Sequence, residues 1–201
     1  TPTQALAAGK AHDVPLIIGW NSGEDSLLGG PGGGQRFAQA MAPIARNFYA
    51  AEAEEGEEAL GRAAFTDQVF AAPARWIARQ AAGGAGAYLY HFSYVGHRFR
   101  PVLARAHHAA EIQYVFEYWG RRTPMSQVSA EDQAMARLMH GCWVGFARTG
   151  RPACEGLDWP AYEPAGGALL ESGPESGGRA GFRRPQLDAW EAIMLPRLAL
   201  D

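Results

Sequence analysis

The chain has 201 residues, of which 47% are hydrophobic and 19% are charged, and its formal net charge is −3. This composition is typical of a globular chain with one ordinary core, and it excludes an intrinsically disordered one. The slightly acidic charge gives no reason to expect a nucleic-acid partner, and no apolar run reaches the roughly 18–20 residues of a membrane span.

The first predicted element is a buried strand over residues 14–19. This run is short, apolar and rich in branched side chains, and turn residues follow it at 21–26. Such a pattern is typical of a strand in a parallel sheet. Glu24 and Asp25 lie in the turn. A carboxylate just past the C-terminal end of a parallel strand lies where α/β sheets hold ligands and catalytic groups, although solvated turn residues are common there too.

Helices and strands alternate along the rest of the chain. Apolar spacing predicts helices over 35–80, from Ser129 onward and over 186–195, strands over 88–94 and 168–170, and a short buried segment over 112–118. Ser129 is followed by an early acidic pair, as at the N-terminus of a helix. The alternation predicts one α/β domain, or part of one, with a mostly parallel sheet flanked by helices.

Two adjacent histidines, His107 and His108, lie in the loop after the second strand. A histidine in such a loop is able to reach across the end of a sheet, but most histidines are surface residues or satisfied core groups. Here the acid at Glu24 precedes the histidines along the chain, and a strand precedes each. This is the order of the last two triad members in α/β-hydrolases, in which the nucleophile comes first.

Cys142 and Cys154 are the two cysteines of the chain. Two cysteines do not make a disulfide framework, and their spacing is not that of metal ligands. One bridge between them is feasible, but we expect two free thiols. The redox compartment and the cellular location therefore stay undetermined.

Several segments resemble the type-B carboxylesterases, a cholinesterase-like and para-nitrobenzyl-esterase-like family. Residues 14–26 are similar to the strand and turn that read VPLLIG-x-N-x-DEGS in that family, and residues 106–116 are similar to its G-x-x-HG-x-E-I-x-Y-V-F segment. Further similar segments follow in the family's order at 65–75, 88–94 and 143–162. The resemblance implies the C-terminal portion of an α/β-hydrolase fold.

The resemblance also implies roles for two residues, with Glu24 as the acid and His108 as the base of a catalytic triad. Gly23-Glu24-Asp25 stands where Asp-Glu-Gly is usual, so Asp25 is the alternative acid. Ala109 replaces the usual glycine after the histidine. The implied substrate is a small-molecule ester, and neither a metal nor an organic cofactor is expected.

The nucleophile of the implied triad is missing from the sequence. Gly-x-Ser-x-Gly does not occur, and residues 174–178, the nearest match, lack the first glycine and predict a turn rather than a nucleophile elbow. We therefore expect residues 1–201 to be the C-terminal part of a single catalytic domain. The N-terminal part of the same protein would then be a partner that holds the nucleophile. The fragment alone is expected to be insoluble, oligomeric or inactive on esters.

The predicted function is therefore carboxylic ester hydrolysis by a serine carboxylesterase, to which this chain supplies the acid and the histidine. The alternative is a non-catalytic interaction protein, since the cholinesterase-like branch includes members that lost the triad. A third reading, an autonomous module, is disfavoured because a sheet that starts midway exposes an unpaired edge. The natural ester and the oligomeric state are not predicted.

Overall fold

The structure is a computed structural model, and it describes residues 1–121 and 123–198. A four-stranded sheet lies at the centre of this part of the chain. The strands, in their order across the sheet, are Leu16–Asn21 (β1), Ala87–Phe92 (β2), Leu169–Ser172 (β3) and Gly177–Arg179 (β4). β1, β2 and β3 run parallel, and β4 pairs antiparallel with β3. The prediction of a mostly parallel sheet is therefore confirmed.

Helices fill most of the connections between the strands. The α-helices of the described residues are Pro2–Ala7 (α1), Gly33–Ala40 (α2), Pro43–Arg46 (α3), Ala50–Glu54 (α4), Glu57–Thr66 (α5), Ala72–Ala81 (α6), Ile112–Val115 (α7), Ala130–Thr149 (α8) and Arg184–Leu198 (α9). A π-helical turn, Asp67–Ala71, joins α5 to α6. Among these helices, none combines the length and the apolar character needed to cross a bilayer.

The sheet separates two apolar layers, because successive strand residues point to opposite faces. On one face, Trp20, Leu89 and Leu169 join a core with residues of α2, α5, α6 and α9. On the other face, Phe92 and Leu170 pack with residues of α7 and α8. Helices thus cover both faces, as a parallel sheet requires.

The predicted strands and the helix predicted from Ser129 onward are observed with small shifts at their ends. The runs at 14–19 and 88–94 correspond to β1 and β2. Ser129 caps α8, because its hydroxyl accepts a hydrogen bond from the Asp132 amide at 3.0 Å while the Asp132 carboxylate accepts one from the Ser129 amide at 3.0 Å. The cap predicted from the serine and its early acids is confirmed.

The prediction of a buried segment over 112–118 is wrong in part. Tyr114 is buried, but Ile112, Phe116 and Tyr118 are at least half exposed. The physical reason is that α7 is a single turn of helix packed against α8. A single turn covers the residues on its inner side and leaves the neighbouring residues in contact with solvent.

The expectation of two free thiols is also wrong, because Cys142 and Cys154 form a disulfide. After α8 ends, the chain turns back along the helix and brings the two Cα atoms within 4.4 Å. Gly145 permits this approach, since a Cβ atom at that position would lie 2.6 Å from the Cβ atom of Ala153. The bond therefore ties the segment after α8 to the buried side of that helix.

Candidate active site

Glu24 lies in a tight turn that begins where β1 ends. The chain leaves the strand at Asn21 and enters the 3₁₀ turn Glu24–Leu28. The side chain of Glu24 points inward, and the residue is 4% exposed. One carboxylate oxygen, Oε1, accepts a hydrogen bond from the backbone N–H of Asn21 at 2.8 Å. The turn thus buries a carboxylate and fixes one of its two oxygens.

The loop that holds His108 is fastened to this turn by main-chain and serine contacts. The Gly23 amide donates to the Ala106 carbonyl at 2.7 Å. The hydroxyls of Ser22 and Ser26 accept hydrogen bonds from the amides of Ala106 and His108 at 3.0 and 2.9 Å. Two loops separated by more than eighty residues in sequence are therefore held side by side at the C-terminal edge of β1 and β2.

Glu24 and His108 form a direct pair in this arrangement. His108 Nδ1 lies 2.5 Å from Glu24 Oε2. The carboxylate is buried, whereas the imidazole side chain is 44% exposed. An ionised carboxylate can only accept a hydrogen bond, so its neighbour Nδ1 holds a proton, and in the neutral imidazole the lone pair is then on Nε2. The exposed edge of the ring is therefore suited to accept a proton from another group.

Asp25, the alternative acid, makes different contacts. Its Oδ2 atom lies 3.1 Å from Arg62 Nη1 and 2.9 Å from Arg105 Nη2. The Asp25 side chain is almost fully buried in this arrangement. The structure brings Glu24, and not Asp25, to the imidazole of His108.

His107, the histidine next to His108, also makes contacts different from those of the Glu24–His108 pair. The His107 ring packs edge-on against Phe99, with the ring centroids 5.7 Å apart. Its backbone carbonyl accepts a hydrogen bond from Asn21 Nδ2 at 2.8 Å. Of the two adjacent histidines, His108 is the one whose imidazole contacts an acid.

Two further polar residues belong to the site although the sequence analysis did not assign them a role. Asn21 is 1% exposed, and its Nδ2 atom donates to Glu111 Oε2 at 2.5 Å. Both residues stand inside the segments that resemble the carboxylesterases, which was the available signal. Nearby, burial raises the pKa of Tyr90, and the negative charges of Glu111 and Glu24 raise it further.

The backbone and the apolar surroundings of His108 show two more features. Ala109 has φ of 63°, which is the left-handed region that favours glycine. The carboxylesterase segment that this region resembles has a glycine at this position, and the left-handed conformation explains that preference for glycine. On the other side, the Phe70 ring lies 5.5 Å from the His108 ring and so provides an apolar wall.

Comparisons with known proteins identify the family to which the chain is similar. The sequence profile of the carboxylesterase family matches residues 34–190, more than half of the chain. Para-nitrobenzyl esterase of Bacillus subtilis (strain 168) is 28% identical over 172 residues, which are 80% of this chain and 34% of that protein. Acylcarnitine hydrolase of Mus musculus is 28% identical, with 86% of this chain and 38% of that protein covered.

Solved structures are similar over nearly the whole chain. The carboxylesterase EST55 of Geobacillus stearothermophilus has a TM-score of 0.75 and 26% identity, with 92% of this chain and 43% of that chain covered. A PNB esterase structure with 22% identity and a TM-score of 0.68 supports the fold alone. The chain spans well under half the length of these relatives. Its strands and helices form part of an α/β-hydrolase fold, and the chain belongs to the carboxylesterase family.

Proposed function

We propose that this chain supplies the acid, Glu24, and the general base, His108, of a serine carboxylesterase. The observation that supports the proposal is the 2.5 Å contact between Glu24 Oε2 and His108 Nδ1 at the C-terminal edge of a parallel sheet. Membership of the carboxylesterase family and relatives named as esterases point to the same reaction class. No metal or organic cofactor takes part in the proposed reaction.

The proposed mechanism is a two-step acyl transfer. A serine hydroxyl attacks the ester carbonyl while His108 Nε2 takes the hydroxyl proton, and the carbonyl oxygen becomes an oxyanion. The tetrahedral intermediate collapses, the C–O bond to the alcohol breaks, and His108 returns the proton to that alcohol. Water then repeats the sequence on the acyl-enzyme and releases the carboxylic acid and the free serine.

Glu24 has two tasks in this mechanism. Its carboxylate keeps the proton of the imidazole on Nδ1, so that Nε2 is free to act as the base. Its negative charge also stabilises the imidazolium that forms when His108 takes the serine proton. Burial of Glu24 strengthens both effects, because a charge that is shielded from water acts on its neighbour more strongly.

The nucleophile and the oxyanion hole are proposed to come from a segment outside these 201 residues. The sequence has no Gly-x-Ser-x-Gly. Residues 174–176 form the turn of the β3–β4 hairpin, where the Ser176 hydroxyl bonds with the backbone of Gly173 at 3.0–3.2 Å. That geometry lacks the strand-to-helix elbow that a nucleophilic serine requires. Each oxyanion donor would contribute about 3–4 kcal/mol to the stability of the transition state.

The test compares two neighbouring histidines in the protein that includes the nucleophile segment. His108→Ala is expected to lower kcat for p-nitrophenyl ester hydrolysis by about three orders of magnitude or more, because it removes the base. His107→Ala is the matched control, since only the main-chain carbonyl of His107 contacts the site residues named above. We expect its activity to stay within tenfold of the parent.

Two outcomes would contradict this proposal. One is a His108→Ala protein that keeps activity within tenfold of the parent. The other is turnover of p-nitrophenyl esters by the 201 residues alone, since the proposed reaction needs a serine that these residues do not supply. Fluorophosphonate labelling of the longer protein, followed by peptide mapping, locates the nucleophile, and failure of any serine to react would favour the non-catalytic interaction protein.

A further inference from the structure

Asn21, the last residue of β1, bonds with both halves of the candidate site. Its backbone N–H donates to Glu24 Oε1 at 2.8 Å, and its Nδ2 atom donates to the His107 carbonyl at 2.8 Å. Nδ2 also donates to Glu111 Oε2 at 2.5 Å. We propose that Asn21, oriented by Glu111, is a positioning residue that holds the Glu24 carboxylate against the imidazole of His108. The roles of Glu24 and His108 in this inference rest on the proposed function.

The contact with His107 is important because that carbonyl belongs to the peptide group directly before His108. The orientation of this peptide group sets the direction in which the His108 side chain leaves the backbone. On its other side, the same asparagine fixes the oxygen of Glu24 that does not face the imidazole. The Asn21 side chain therefore restrains His108 through the peptide group that precedes it. The Asn21 backbone N–H restrains Glu24 through Oε1, the carboxylate oxygen that does not face the imidazole.

Glu111 gives the asparagine amide a defined orientation. An ionised carboxylate accepts hydrogen bonds and does not donate them, so the amide must present Nδ2, and not Oδ1, to Glu111. The same orientation directs Nδ2 toward the His107 carbonyl. Within the described residues, Asn21 Oδ1 is buried without a hydrogen-bond partner, which costs stability. This cost indicates that the donor contacts, rather than full satisfaction of the amide, determine the arrangement.

Several carboxylates lie at or beside the candidate site. Glu24 contacts the imidazole of His108, and Glu111 contacts the side chain of Asn21. Burial raises the pKa of Tyr90, a partly buried tyrosine of β2, and the charges of Glu111 and Glu24 raise it further. Asp25 is compensated by two arginines, Arg62 and Arg105.

A double-mutant cycle tests whether Asn21 acts through Glu24. The fraction of the neutral His108 ring that holds its proton on Nδ1 is measured by NMR from the imidazole 15N shifts in alkaline buffer, with the His108 signals identified by their loss in His108→Gln. Asn21→Ala is expected to lower this fraction by about half, because the imidazole loses its alignment with the carboxylate that keeps the proton on Nδ1. In a Glu24→Gln background, the same change is expected to have almost no effect.

Glu111→Gln provides a second variant that keeps the shape of the side chain, in case Asn21→Ala does not fold. It is expected to lower the fraction of the Nδ1–H tautomer of His108 as well, because the Asn21 amide loses the carboxylate that orients it. Glu131→Gln is the control, since Glu131 is exposed and contacts Arg100 in another part of the molecule. We expect that control to leave the tautomer of His108 unchanged.

The inference is overturned if Asn21→Ala and Glu111→Gln fold and leave the fraction of the Nδ1–H tautomer of His108 at the value of the parent. It is also overturned if the effect of Asn21→Ala is the same with Glu24 and with Gln at that position. Because the readout is the position of a proton on the imidazole and not turnover, a protein without esterase activity would contradict the proposed function and leave this test decisive.

Discussion

Glu24→Gln separates the charge of the acid from its shape. In the structure, Glu24 Oε1 accepts a hydrogen bond from the Asn21 amide, and Oε2 faces His108 Nδ1. The glutamine oxygen must take the first of these positions, because the Asn21 N–H needs an acceptor. The glutamine NH2 group then faces the imidazole, and Nδ1 must accept from it. The proton of the ring moves to Nε2, which can no longer act as a base.

The size of the effect follows from this tautomer change. An equivalent replacement of the triad acid by its amide, in a serine protease used as a reference case, lowers kcat by about 10⁴ through the wrong tautomer. We expect a loss of the same order here, which corresponds to about 5.5 kcal/mol in the activation free energy. The fold should be kept, because the glutamine has the shape of the glutamate and retains the contact with Asn21.

The assay measures kcat on a p-nitrophenyl ester in the protein that includes the nucleophile, together with the imidazole 15N shifts that report the tautomer. Asp25→Asn is the matched control. It weakens a buried pair with Arg62 and Arg105 and should lower stability by about 1–3 kcal/mol while it keeps the tautomer. The reasoning is refuted if Asp25→Asn loses activity and Glu24→Gln keeps it, since Asp25 would then be the acid.

Two further predictions concern stability. Ala109→Gly should raise the free energy of unfolding by up to about 1 kcal/mol in urea titrations, because glycine relieves the left-handed conformation at φ of 63°; a loss of stability would show that the alanine methyl group contributes packing that outweighs the strain. The second prediction concerns Glu171, whose pKa is lowered to about 2. The main cause is the imidazole of His91, whose Nδ1 lies 3.6 Å from Glu171 Oε1, and hydrogen bonds from Arg179 and Ser93 add to it, while burial opposes the shift. Since the unfolded value is about 4.3, this stabilisation is present above that pH and is lost as the pH falls toward 2. Between pH 4.3 and 2, the free energy of unfolding should therefore fall by about 1–2 kcal/mol less in Glu171→Gln than in the parent, measured by denaturation at several pH values. An equal dependence of the free energy of unfolding on pH in both proteins would contradict the assignment.

Local patterns in the sequence were sufficient to predict the elements that position the site. The apolar run before Asn21 predicted β1, the aromatic alternation near Tyr90 predicted β2, and the serine cap predicted the start of α8. Each depends on residues that are close in sequence, where periodicity and capping act. The resemblance to the carboxylesterases then selected His108 rather than His107, and the structure brings the selected residue to Glu24.

The features that were not predicted depend on contacts between distant segments. Asn21 and Glu111 are ninety residues apart in sequence. The residues next to each of them do not predict that the two side chains are in contact. The disulfide was missed because the number of residues between Cys142 and Cys154 does not reveal that the chain turns back along α8. The partial exposure of α7 likewise follows from the shortness of that helix and not from its composition.

The unequal exposure of the pair has a consequence for assembly. The buried side of the Glu24–His108 contact is completed by this chain, while the open side of the imidazole faces outward. A segment that delivers a serine hydroxyl would therefore meet a histidine whose tautomer and direction are already determined. Most of the entropy lost in ordering the acid and the base would then belong to the folding of this chain, and little of it to the arrival of the nucleophile.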